Sequence, residues 1–181
     1  MHLTEQEKLK IIRVFKKLPI FYGLRENEYD FVRAACSHTS YLEGSTVFNK
    51  GDGSPCLYIL LTGEVELQTE KEEVIYKLHP GEIFGEIGLI TQQKRTATAI
   101  AKTDVTLLII KSEDLNLLLG KHPRISSIIM RNITQHLANH IVRMNKAATL
   151  EHIPPKQENN TMPSSPGSSQ FPGSWDESDD F

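Results

Sequence analysis

Only two cysteines occur in the 181 residues, Cys36 and Cys56, and neither stands in a metal or redox spacing. That excludes a disulfide framework and leaves two isolated thiols expected in the core. No apolar run approaches the ~18 residues that a membrane-spanning helix needs. The opening Met1-His2-Leu3-Thr4-Glu5 lacks the apolar stretch of a secretory signal, so a cytoplasmic location is expected. One-signed charge is missing too. The formal charge is −3 and falls mostly at the C-terminal end, where residues 151–181 carry six acids against Lys156 alone. The other 150 residues are therefore almost neutral, which argues against nucleic-acid affinity built on phosphate contacts.

What is present suits one domain with an extension, since 39% hydrophobic residues supply a single core. Thr4 and Glu7 form a capping-box pattern ahead of Leu9, Ile12 and Phe15 at helical spacing, and Pro19 limits that helix. A second helix is expected from Arg25 to Cys36. The N-terminal helices thus fill 1–37, and the pattern then changes. Short β-branched and aromatic runs, punctuated by Gly44, Gly51, Gly53, Gly63, Gly81 and Gly85, predict strands near 40–42, 46–49, 56–61, 64–69, 73–78, 97–101 and 105–110. The fold class expected is α+β, mainly β: a jelly-roll-like (double-stranded β-helix) barrel over 38–111, with N-terminal helices and a long C-terminal helix.

A hinge and that long helix fill 112–146: a short helix from Ser112 to Leu119, then a long one from Pro123 to about Asn145. Ile125, Ile129, Ile133, Leu137, Ile141 and Met144 form its apolar stripe. Packing on the barrel is the simpler use of that stripe, and a homodimer seam is the other. From Pro154 onward Pro, Ser, Gly and acids dominate, so 151–181 is expected to be a disordered tail. Its end, 171–181, sets Trp175 and Phe181 among acids and could serve as a docking peptide for a protein partner.

Residues 81–98 (GEIFGEIGLITQQKRTAT) carry the chemistry. Gly85 permits close backbone approach to a ligand, and the N–H groups of Gly85, Glu86 and Ile87 open a short helix suited to an anion. Arg95 offers a planar fork for two phosphate oxygens. Glu86 repels phosphate, so its presence asks for a ligand that also carries a hydroxyl donor such as a ribose 2′-OH. A cyclised nucleotide monophosphate meets both demands.

This segment resembles the phosphate-binding cassette of the cyclic-nucleotide-binding domain family, through Gly81, Phe84, Gly85, Glu86, Leu89, Arg95, Thr96, Ala97 and Thr98. Gly88 and Lys94 depart from the family's usual Ala and Pro. Tyr41–Asp52 and Leu57–Leu67 match two earlier family signatures, so the resemblance spans roughly 20–145. It implies a cyclic-nucleotide sensor with Glu86 as the 2′-OH acceptor, and Arg95, Thr96 and Ala97 around the phosphate. Leu78 is expected as an apolar wall for the ribose or base, core packing being its other use. Thr96 keeps cGMP open beside cAMP, which is slightly favoured. Counting forward from Arg95 as in bacterial activators of the family puts His140 and Ile141 against the base.

The family's bacterial transcription factors add a helix-turn-helix module, and none is legible after the long helix, so no DNA binding is expected and a stand-alone sensor is. The other reading is a degenerate fold of the family serving as a protein-interaction scaffold. An enzyme of the metal-dependent cupin type is not expected, because the β region offers only His38 and His79. His136 and His140 stand at i and i+4, but with no third ligand in view in the sequence no metal is expected.

Overall fold

Leu57-Tyr58-Ile59-Leu60 is buried on both faces, and the rest of the fold is arranged around that run. The computed structural model describes residues 5–53 and 55–150. The strands are β1 (Cys36–Tyr41), β2 (Thr46–Phe48), β3 (Cys56–Thr62), β4 (Val65–Gln68), β5 (Val74–Leu78), β6 (Ile83–Phe84), β7 (Thr98–Ala101) and β8 (Val105–Lys111). They form two four-stranded antiparallel sheets, ordered β1-β8-β3-β6 and β2-β7-β4-β5. The expected jelly roll is therefore present.

Side chains alternate along each strand, which divides the core in two. Tyr58 and Leu60 of β3, with Val105 and Leu107 of β8, point between the sheets and meet Phe48, Val65, Leu78, Phe84, Ala99 and Ala101. Leu57 and Ile59, with Leu108 and Ile110, face the other way onto helices. Those helices are α1 (Glu5–Phe15), α2 (Tyr29–Ala34), α4 (Ser112–Lys121) and α5 (Pro123–Leu150), with single 3₁₀ turns at Pro19–Phe21 and Glu26–Glu28. Each large side chain buried there contributes about 1.5–3 kcal/mol, which holds the helical layer on β3 and β8.

Three expectations need correction. Cys36 does not end a helix but begins β1, which pairs with β8 from Cys36↔Ile110 to Tyr41↔Val105. Hydrogen bonding across that ladder outweighs the weak helical preference of Cys36. The region expected as one helix from Arg25 is a 3₁₀ turn followed by the six-residue α2. And β6 was not expected, because two residues give no period to read. The Thr4 cap and the 151–181 tail lie outside the described residues.

The stripe on α5 is core only for its first half. Ile125, Ile129 and Ile133 are buried and Leu137 packs on the same cluster, whereas Ile141 is 59% and Met144 46% exposed. The start of α5 is tied to the N-terminal segment by polar bonds. Asn132 Nδ2 donates to the carbonyls of Ile20 and Tyr22, both at 2.9 Å, and Arg124 pairs with the buried Glu28. Among the described residues no helix is long and apolar enough to cross a membrane.

Candidate functional site

Strand β6 ends by delivering Phe84 into the inter-sheet core, and the chain then turns at Gly85 with φ 77°. That left-handed value is one an L side chain rarely adopts. The helix α3 (Glu86–Thr91) starts immediately after it and stops at Gln92, also left-handed at φ 57°. The backbone of Arg95 is then pinned from both sides by the turn after β2. Its N–H donates to the Asp52 carbonyl at 2.9 Å, and its own carbonyl accepts from Gly51 N–H at 2.8 Å. This pairing fixes the backbone of Arg95 directly after Lys94.

The Arg95 side chain turns inward and is only 4% exposed. Nη1 donates to the Gly85 carbonyl at 2.8 Å and Nη2 to the Cys56 carbonyl at 2.7 Å. The guanidinium lies over the Phe48 ring, 4.2 Å from its centroid, with Tyr58 at 5.4 Å. Nε is buried with no partner. Burial pulls the guanidinium below its usual range, opposed by Tyr58, Cys56 and Glu86. Of the three nitrogens of the fork, Nε is thus unspent and the two Nη atoms are engaged on backbone carbonyls.

Glu86 is equally buried, at 4% exposure. Burial pushes its carboxyl up, while its own backbone N–H and the charge of Arg95 pull the other way. Its near neighbours come from α5. Single ligand-type atoms of Glu86, His136 and His140 all lie within 4.8 Å of one another. The Nε2 atoms of both histidines are buried and unpartnered. Burial lowers the pKa of each imidazole, opposed by the charge of Glu82. Glu86 is therefore the third donor that the linear sequence hid from the His136–His140 pair.

Beside this cluster a polar clasp holds α5 to the β5–β6 turn. Arg143 Nη1 donates to Glu82 Oε1 at 2.7 Å, Tyr76 OH donates to the same oxygen at 3.0 Å, and Arg143 also contacts Tyr76 OH. The Tyr76 ring lies 4.0 Å from that of His140, centroid to centroid. Burial alone would raise the Glu82 carboxyl, but the His79 N–H, Arg143 and Tyr76 together hold it below the usual range. A cleft of about 290 Å³ runs along this junction, lined by Pro19, Tyr76, Glu82, His136, His140 and Arg143 among others.

The fold thus brings together Gly85, Glu86, Arg95 and His140 of the expected site. Leu78 and Phe84 lie in the inter-sheet core, because both alternate inward on their strands. Ile87 and Thr96 are exposed. Ala97 is half-buried, and Ile141, expected beside His140, is exposed. Residues that sequence reasoning did not place at the site are Phe48 and Tyr58 under Arg95, and Tyr76, Glu82 and Arg143 in the clasp. Only the aromatic pattern of the strands hints at the first two.

Residues 38–122 match the cyclic nucleotide-binding domain family. The cyclic AMP receptor protein of Thermus thermophilus is 32% identical over 130 residues, 70% of this chain and 58% of that protein. A cAMP-dependent protein kinase regulatory subunit of Schizosaccharomyces pombe is 31% identical over 107 residues, 59% of this chain and 26% of that one. This chain accordingly spans little more than half of the first relative and about a quarter of the second. A solved cyclic nucleotide-binding domain from Methylobacillus flagellatus shares the fold, with TM-score 0.71 and 19% identity, over 82% of this chain and 85% of that one.

Proposed function

The chain carries a domain of the cyclic nucleotide-binding family, and from that premise we propose that it senses a 3′,5′-cyclic nucleotide and relays binding through α5 to a protein partner. The observation that carries this reading is the joint burial of Glu86 and Arg95, each 4% exposed, with Arg95 Nε unspent. A buried carboxylate and a buried guanidinium with spare capacity are costly unless a ligand completes them. The phosphate takes over the Arg95 fork from the carbonyls of Gly85 and Cys56, and the N–H groups opening α3 add donors. Glu86 accepts the ribose 2′-OH. His140 and its neighbour Tyr76 then lie on the α5 side, where a purine would sit.

Binding at Glu86 changes what faces His136 and His140, and so changes the seat of α5. Output follows from the ligand's differential affinity for the two positions of the helix. Relatives named for cAMP and one named for cGMP are both similar to this chain, so we favour cAMP only slightly, and the role proposed is binding without catalysis.

A second reading has one observation in its favour. Arg95 is stacked on Phe48 and already donates to two carbonyls, so the same residue can serve a ligand-free scaffold. Calorimetric titration of nucleotide-stripped chain with cAMP and with cGMP separates the two. Binding at micromolar or tighter affinity, weakened by about 1.5–3 kcal/mol in Arg95→Ala, is expected for the sensor. No heat with either nucleotide would leave the scaffold.

A further inference from the structure

We infer that Glu86, His136 and His140 form a binding site for a single divalent transition-metal ion of the zinc class, clamping α5 onto the cassette helix α3. The donor set is two imidazoles one helical turn apart and one carboxylate from a different element, the nitrogen–oxygen combination that zinc takes with one position left open. The donor atoms lie within 4.8 Å of one another, so shifts under ~1 Å per side chain bring each to the ~2.0–2.2 Å of zinc coordination. Both imidazole Nε2 atoms are buried without a partner, which is a cost that a metal removes.

The surroundings fit a cation. Arg143, the cation beside the two histidines, is neutralised by Glu82 at 2.7 Å, while Arg95 acts on Glu86 from the other side and is held by the carbonyls of Gly85 and Cys56. Tyr76 packs on the His140 ring and holds it from behind, as outer-shell partners hold metal-ligating histidines. His79, the other histidine near this junction, is exposed and outside the cluster.

One consequence rests on the nucleotide reading given above. The metal occupies the carboxylate that accepts the 2′-OH, so metal and nucleotide oppose each other, and by linkage each weakens the other by the same factor.

The test uses the full chain without a polyhistidine tag, stripped of metal and nucleotide, and titrated with Co²⁺. One equivalent is expected to give the visible ligand-field bands of a four- or five-coordinate ion, bleached by Zn²⁺. His140→Gln and Glu86→Gln should each weaken Co²⁺ binding roughly tenfold or more, and His79→Gln should leave it unchanged. Circular dichroism checks each variant's fold; if Glu86→Gln unfolds, His136→Gln takes its place. Non-saturating absorbance, or equal affinity in His140→Gln, overturns the site. Repeating the cAMP titration with saturating Zn²⁺ then reads the opposition. Unchanged cAMP affinity in Zn²⁺ overturns the opposition and not the site, whereas absent cAMP binding to the metal-free chain overturns the nucleotide reading and leaves the Co²⁺ result standing.

Discussion

Arg95 reaches back ten residues along its own loop to donate from Nη1 to the carbonyl of Gly85 at 2.8 Å. A methyl group built on Gly85 would fall well inside contact distance of that same nitrogen. The two residues are therefore mutually specified: the guanidinium lies where a side chain on residue 85 would be, and the left-handed turn needs glycine in any case.

Gly85→Ala should cost at least about 1–2 kcal/mol from the positive φ alone, with the displacement of Arg95 adding to it. Urea unfolding measures the loss. If the midpoint is unchanged, the inward position of Arg95 is wrong.

Arg95→Met keeps the apolar contact with Phe48 but removes both donors. The carbonyls of Gly85 and Cys56 lose their side-chain partner, so a loss of about 1–3 kcal/mol in the ligand-free chain is expected. A variant as stable as the parent would show that Arg95 is held for a ligand alone and contributes nothing to the barrel.

Acid should loosen the root of α5 first. Burial by itself would raise the Glu28 carboxyl, but Arg124 and the Arg25 N–H hold it below the usual range. A depressed carboxyl contributes stability at pH values above its unfolded pKa, and that contribution fades as pH falls through the folded value. The parent should thus exceed Glu28→Gln by about 1 kcal/mol at pH 7, with the gap unchanged to near pH 5 and closing below the ordinary carboxylate range. Thermal melts from pH 7 to 3 on both proteins test this; a gap that widens in acid contradicts it.

The clasp of Arg143 on Glu82 and Tyr76 should matter more to local motion than to global stability. Arg143 is largely exposed, so a double-mutant cycle with Glu82→Gln should give a coupling of only about 0.5–1 kcal/mol. Hydrogen exchange in α5 beyond residue 136 should nevertheless accelerate in Arg143→Ala, and unaltered protection there would remove the clasp from the account.

Cys36 should be nearly inert. Burial, helped by Asp114, pushes its thiol up to about 12, and burial raises Cys56 as well. At pH 8 a thiol reagent should modify both slowly in the folded chain and rapidly after denaturation. Fast modification of Cys36 in the native protein would contradict its place at the start of β1.

The strands that were legible were those bounded by glycine with a continuous apolar run or alternation within, such as β3 and β4 flanking Gly63. There φ is 86° and an added methyl would strike the Asp104 carbonyl. Strand β1 was misplaced because Cys-Ser-His-Thr-Ser-Tyr is mostly polar and offers no apolar alternation; its position is fixed by pairing with β8, not by its own composition. At the site, Gly85, Glu86 and Arg95 were readable because they fall within one short segment. The approach of Glu86 to His136 and His140 was not, since fifty residues separate them and only the folding of α5 over the barrel closes that distance. The Arg143–Glu82 clasp was hidden for the same reason.

The pairing of β1 with β8 also orders events in time. Residues 36–41 wait for residues 105–111 before their ladder can close, and β3 needs the same β8 for its second neighbour. At ~5–20 residues per second of synthesis, several seconds pass in which the apolar run of β3 is outside the ribosome without its cover. The cassette lies between those strands in the sequence, so it emerges before the barrel wall behind it exists. A nascent chain arrested before residue 105 would thus expose β3 and carry no settled cassette, making this interval the one in which chaperone capture is expected.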